Sequence, residues 1–365
     1  MRKLGSAAGS PQLKARHKST QKPIRLSFRH RSIAFVPGVN FPFTADCPGT
    51  IGRRILTEMK KIAFVLPLLL ALITVASAAD RGSLIRQAVI YLSPDAKSAK
   101  LGEVERGREL VFIETSRDWL HVMAMFGEDK TVTGWILDKG VVHTTTQDGD
   151  RILFGEGASS EDEGSRRHGR RGAADDASRL YYRVYDLFPA SPYAAEALYR
   201  AADIRWQIDK IDVMSRPSAR EKESFLRVGM NEELMKLVIK KYPGTKWAEI
   251  AAFQLIENKL CGDWQGSVKC PDKEAEIYEK YANEHPQSPR AAEALYNAAW
   301  RRAALIDMFK SDEQPKKAEE SKAKTLALTQ KLLSTTSGQG DWAARGASLQ
   351  FVVQQDVPTY GNAVQ

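Results

Sequence analysis

The spacing of apolar residues changes four times along this 365-residue chain. Through residues 1–58 no helical or strand period is sustained. Ile62 to Val75 then form an uncharged, mostly apolar run. From Leu84 the apolar residues fall into short β-rich runs at 88–92, 104, 109–114, 119–125 and 131–137. Ser93-Pro94-Asp95, Glu105-Arg106-Gly107, Ser116-Arg117-Asp118 and Gly127-Glu128-Asp129 separate them, and turn formers at this spacing predict a small all-β barrel over 83–143. So short a segment makes a small core, which requires Trp119, Trp135, Phe112, Val122 and Ile136 to face mostly inward. Residues 144–172 lose the pattern. They are rich in Gly and Ser, with Glu161-Asp162-Glu163 followed by Arg166-Arg167-His168-Gly169-Arg170-Arg171, and they predict a flexible linker whose charges solvate each other. Contact of its basic cluster with anionic lipid or glycan phosphate is the alternative.

Beyond residue 173 the period is helical, and the chain repeats itself. Phe188-Pro189-Ala190-Ser191-Pro192-Tyr193-Ala194-Ala195-Glu196-Ala197-Leu198-Tyr199 recurs as His285-Pro286-Gln287-Ser288-Pro289-Arg290-Ala291-Ala292-Glu293-Ala294-Leu295-Tyr296, with a weaker copy at Tyr242-Pro243-Gly244-Thr245-Lys246-Trp247-Ala248. Each copy follows an amphipathic segment, at 178–187, 231–241 and 274–284. The first proline is expected to end one helix, Ser191, Thr245 or Ser288 to cap the next, and Pro192 or Pro289 to take its first position. The alanines allow close helix packing, while Tyr199, Phe253 and Tyr296 fill the space between hairpins. Residues 318–333 and 342–354 predict a degenerate fourth unit, and Ser215 and Pro217 an inserted helix within 209–229. Hairpins that cannot bury their faces alone stack into an α-solenoid, here over 173–355 with a tail at 356–365.

The run at Ile62–Val75 fixes the compartment. Met59-Lys60-Lys61 precede it and Ala76-Ser77-Ala78-Ala79 follow. It is short of the roughly 20 residues that span a bilayer, and the A-x-A ending matches a signal-peptidase site. Residues 59–79 are therefore read as a signal peptide cut before Ala79 or Asp80, with an uncleaved anchor as the alternative. Residues 1–58 become a non-native or disordered leader. Arg53-Arg54 in a twin-arginine export signal is the rival.

This reading changes the meaning of the charge. The chain carries +9, but residues 1–58 hold eleven Lys and Arg against Asp46 and Glu58, and Lys60 and Lys61 add two more. The remainder has 41 basic and 43 acidic residues, net −2, so nucleic acid is not an expected partner. Of three cysteines, Cys47 lies in the leader. Cys261 and Cys270 remain as an even pair in an oxidising compartment, bracketing a glycine-bearing loop short enough for a disulfide; two free thiols are the alternative. No cysteine follows the cleavage site to take a lipid, so no stable membrane anchor is expected after cleavage.

Two family resemblances add to this. Ile90-Tyr91-Leu92-Ser93-Pro94, Leu101-Gly102-Glu103-Val104, Arg106-Gly107, Asp118-Trp119-Leu120-His121-Val122 and Thr133-Gly134-Trp135-Ile136 follow the order of motifs in bacterial SH3-like domains, which residues 83–143 resemble. Ala88-Val89-Ile90-Tyr91 replaces the family's usual "N-V-R" strand. Family members often bind peptidoglycan or its stem peptides, which makes Trp119, Trp135 and Tyr91 candidate ligand-binding residues; tryptophans that are core alone are the other reading. The repeats resemble tetratricopeptide-type repeats of the outer-membrane assembly lipoprotein BamD family, although the lipid-bearing cysteine is absent and the spacing is longer.

Catalysis finds little support. His121, His143, His168 and His285 are scattered, with no metal-type spacing, no phosphate loop and no nucleophile–base pair. No catalytic residue, cofactor or metal is expected. The sequence thus predicts a multidomain, periplasmic or secreted envelope protein: a signal peptide, an SH3-like barrel that binds cell wall or peptide, and a tetratricopeptide-like solenoid that docks other envelope proteins. An accessory role in cell-wall hydrolysis or remodelling is the alternative.

Overall fold

The computed structural model describes residues 80–127 and 130–360. The leader and the signal peptide expected at 1–58 and 59–79 lie outside the described residues. Among those described, no helix is long and apolar enough to cross a membrane.

Seven antiparallel strands come first: β1 Arg81–Leu84, β2 Ala88–Tyr91, β3 Lys100–Val104, β4 Glu109–Ser116, β5 Trp119–Phe126, β6 Lys130–Leu137 and β7 Val141–His143. Their order in the sheet is β3-β2-β6-β5-β4-β1-β7. The expected barrel is not closed, because β3 and β7 are edges and do not pair. The sheet instead curls over its own apolar face. β3 contacts β5 across that face although two strands lie between them, and a Cβ at Gly102 would meet the Phe126 ring at 2.5 Å. Leu84, Ile90, Leu110, Leu120, Val122 and Ile136 are among the buried residues of this core, which comes from the strands alone.

Strand β1 lacks an apolar alternation because close packing there requires small residues. A Cβ at Gly82 would clash with the Phe112 ring and the Val142 carbonyl at 2.6 and 2.7 Å. Ser83 is buried, and its hydroxyl donates to the Arg108 carbonyl at 3.2 Å.

Nine α-helices follow among the described residues: α1 Gly149–Ser165, α2 Ala173–Leu187, α3 Ala194–Ser215, α4 Glu233–Lys241, α5 Lys246–Gln254, α6 Lys269–Glu284, α7 Ala291–Ser311, α8 Pro315–Thr335 and α9 Asp341–Gln354. Helix α1 corrects the expected flexible linker. Its small residues form a packing face: Gly149, Leu153, Gly157 and Ser160 are buried, and a Cβ at Gly157 would lie 2.9 Å from the Tyr181 ring on α2. Leu153 joins Leu180, Tyr181 and Val184 in one core with Val142 of β7, so sheet and helices share apolar contacts. The turn at Gly107 (φ +72°) seals the junction, since a Cβ there would meet Arg179 Cβ at 2.6 Å. Arg179 and Arg183 donate to the carbonyls of Arg106 and Gly107 at 3.0 and 3.2 Å.

The hairpins α2–α3, α4–α5, α6–α7 and α8–α9 stack through successive cores that share helices. Aromatic pairs bridge them: Tyr199 stacks on Trp247 at 5.3 Å, Phe253 meets Tyr281 edge-on at 5.2 Å and Tyr296 meets Trp342 at 5.4 Å. Thr245 caps α5 by accepting from Ala248 N at 3.3 Å. Ser191 and Ser288 are not the N-caps of α3 and α7, which are Tyr193 and Arg290; they accept from Tyr193 N and Arg290 N at 3.1 Å in the turn before each helix. Ala194 N and Ala291 N then bond back to their carbonyls at 3.1 and 3.0 Å, so Pro192 and Pro289 sit in a tight turn and the helices begin two residues later. The insert after α3 forms two 3-10 turns, Pro217–Arg220 and Ser224–Leu226, and no α-helix.

Candidate ligand-binding face of the sheet

A strand sends successive side chains to opposite faces. On β5 the buried Leu120, Val122 and Ala124 point into the core, so Trp119, His121, Met123 and Met125 face outward. On β6 Gly134 and Ile136 point inward and Trp135 outward. On β2 Ile90 is buried and Tyr91 lies outward. The expected inward placement therefore holds for Val122 and Ile136, with Phe112 packed against the core, but both tryptophans occupy the opposite face. The even positions of these strands already fill the small core.

Register gathers the outward residues. Tyr91 pairs with Trp135, and Trp135 with His121. Gly134 lets β2 approach, for a Cβ there would meet the Tyr91 carbonyl at 2.6 Å. His121 lies flat on Trp135, with centroids 4.7 Å apart and planes 8° apart. Tyr91 meets Trp119 edge-on at 5.5 Å. Both are favourable aromatic geometries. The three residues expected to bind ligand thus form one half-buried patch with His121, and Met123, Met125 and Leu137 lie exposed on the same side.

One polar pair lies within the patch. Ile113 is the extra residue of a bulge in β4, which places Glu114 opposite His121. His121 Nδ1 is 3.3 Å from Glu114 Oε1. That nitrogen is shielded from solvent yet makes no aligned hydrogen bond, so the contact has ion-pair range without hydrogen-bond direction. Rings can stack on the apolar face of a sugar or cover a side chain of a peptide, while the imidazole and carboxylate supply polar groups beside them. In the sequence His121 stands as one of several scattered histidines. Its spacing of two from Trp119 on a strand was the available signal.

The two cysteines among the described residues lie elsewhere, Cys261 in the connection from the second hairpin to the third and Cys270 at the start of α6. Cys261 and Cys270 form a disulfide with Cα atoms 5.9 Å apart. Buried Glu274 organises the loop they close: Oε1 accepts from Cys261 N at 2.8 Å and from Trp264 Nε1 at 3.2 Å, and Oε2 pairs with Arg301 Nε at 2.6 Å. At the junction of sheet and helices, a cleft of about 520 Å³ is lined by arginines that are largely engaged. Arg108 bonds Glu105, Arg170 and Arg179 bond Asp176, and Arg106 bonds Glu156. Burial would raise the Glu105 pKa, but the hydrogen bond from Arg108 and the charge of Arg179 outweigh it and hold the carboxyl below its usual range. Among the described residues no group of three or more His, Cys, Asp or Glu side chains is placed to hold a metal ion.

No family model and no curated protein matches the chain. Among solved structures, a de novo designed helical repeat protein is similar at 14% identity and a TM-score of 0.19, over 56% of this chain and 92% of that one.

Proposed function

We propose that the chain is an exported envelope protein with no catalysis of its own, in which the sheet module binds cell wall or a peptide and the helical repeats dock other envelope proteins. On this reading the sheet is a bacterial SH3-like domain, the repeats are of tetratricopeptide type akin to those of the BamD family, and residues 59–79 direct the chain to the periplasm or medium. The order of the glycine and tryptophan motifs supports the first assignment, and four stacked hairpins support the second. The observation that carries the binding role is the outward patch of Tyr91, Trp119, His121 and Trp135. Burying these rings in the core would have stabilised so small a sheet, yet register gathers them on the solvent side.

Co-sedimentation of the chain with purified peptidoglycan, and titration with its stem peptides, tests this. A Trp119→Ala/Trp135→Ala double variant is expected to bind roughly tenfold more weakly, given aromatic contacts of about 0.5–1.5 kcal/mol each. Equal retention of both proteins removes the assignment. N-terminal sequencing of the protein from envelope fractions tests export; peptides from residues 1–58 in that protein would refute the signal-peptide reading.

A further inference from the structure

The insert at 216–230 folds back over the turn that follows α5. Asn258 fixes it, bonding Met230 N and O at 3.0 and 2.9 Å, and Gly262 N donates to the Lys222 carbonyl at 3.2 Å. Two hollows meet there. One, a cleft of about 590 Å³ beside α6, has Ala252, Ile256, Ile277 and Tyr281 along its floor. The other runs under the insert past Met214 and Val228, and both share Ser224 and Asn258. The first is a trough with an apolar floor, whereas the second, at about 20 Å³, holds little more than a water. The insert leaves Phe225 at its lip 79% exposed, with Leu226 and Val228 exposed beside it.

The trough's charge is one-sided. Lys259, Lys273 and Lys280 line the cleft with a single carboxylate, Glu284, which faces Lys280 at 3.8 Å. Lys259 and Lys273 make no ion pair within 4 Å among the described residues, and Lys259 acts only through its charge on Glu232. In the second hollow Glu257 is already held by Lys210 at 2.5 Å and Trp206 Nε1 at 3.2 Å, while the shielded Arg227 Nε has no acceptor. These cations do not reflect a basic chain, since the sequence after the signal peptide is net −2. Exposed ammonium groups above an apolar floor complement an extended segment that alternates acidic and apolar side chains.

We infer that this trough docks an acidic peptide segment of a partner protein, its apolar side chains on Ile256 and Ile277 and its carboxylates held by Lys259 and Lys273. The inference rests on the repeats being a docking scaffold, and it names their surface and the chemistry of their partner. Fluorescence anisotropy with three dye-labelled peptides tests it: one alternating Asp with Leu and Phe, one with Lys in place of Asp, and one with Ser in place of the apolar residues. The first is expected to bind best and to weaken with added salt. A Lys259→Glu/Lys273→Glu variant, altered at two exposed positions, is expected to bind it roughly tenfold more weakly. Equal binding of the Asp and Lys peptides by the unmodified chain overturns the inference whether or not the variant folds. Unchanged binding by the folded variant overturns the trough while leaving the docking role intact. Absence of saturable binding for all three overturns both.

Discussion

Gly157 of α1 lies directly against the ring of Tyr181 on α2, so close that a Cβ would stand 2.9–3.2 Å from three ring carbons. The ring is fully buried there, and its hydroxyl donates to Glu161 at 2.7 Å. Helix α1 is thus attached by the absence of a side chain. Gly157→Val is expected to destabilise the chain by about 1–3 kcal/mol through overpacking. Gly155, exposed on the same helix with nothing near its Cβ position, is the control. Gly155→Ala is expected to stabilise by about 0.5–1 kcal/mol through helix propensity. Urea unfolding of both variants decides the matter; equal shifts would mean that α1 does not pack as described.

The same contact shows why a sequence reading goes wrong at 144–172. Gly149, Gly157 and Ser160 look like linker composition, and only the facing Phe188 and Tyr181 reveal them as the floor of a helix interface. Repeats were legible because prolines, alanines and interhairpin aromatics recur in order, and these carry local physics. The position of the tryptophans was less so. Strand period assigns Trp119 and Trp135 to the face opposite Leu120 and Ile136, but it does not say which face is core. The bulge at Ile113 that delivers Glu114 to His121 depends on cross-strand register, which single-strand patterns do not contain.

Tyr199 gives the fold an alkaline limit. Burial, then the charge of Asp203, pushes its phenol from the usual 10.0 up to about 12. A pKa raised by folding means that the neutral form is favoured in the native state. Its contribution is complete below pH about 10 and is lost as pH rises towards 12. Thermal melts between these limits are expected to fall more steeply for the unmodified chain than for Tyr199→Phe. Parallel curves would show that the phenol titrates without cost to the fold.

The Cys261–Cys270 bridge closes a short loop, for which the chain-entropy model gives about 2–3 kcal/mol of stabilisation. Cys261→Ser/Cys270→Ser is therefore expected to lower the unfolding free energy by that amount while leaving the helical content unchanged. Thiol titration of the denatured, unreduced chain provides the direct check at these two positions: two reactive thiols from this pair would mean that the bridge does not form.

Glu274 is the stricter test of the same hairpin. It is 2% exposed and receives hydrogen bonds from Cys261 N, Trp264 Nε1 and Arg301 Nε. Arg301 is itself buried, over the ring of Tyr278 at 4.6 Å. Glu274→Ala would strand a buried guanidinium and two donors, so the expected loss is about 3–5 kcal/mol, larger than that for the disulfide. Glu274→Gln keeps an acceptor without the charge and is expected to fall between. Arg301 also reaches the Asn297 carbonyl and side-chain oxygen, both at 3.2 Å. If these alone satisfied it, Glu274→Ala would cost under about 1 kcal/mol in urea unfolding, the range of an exposed pair, and the central role given to Glu274 would fail.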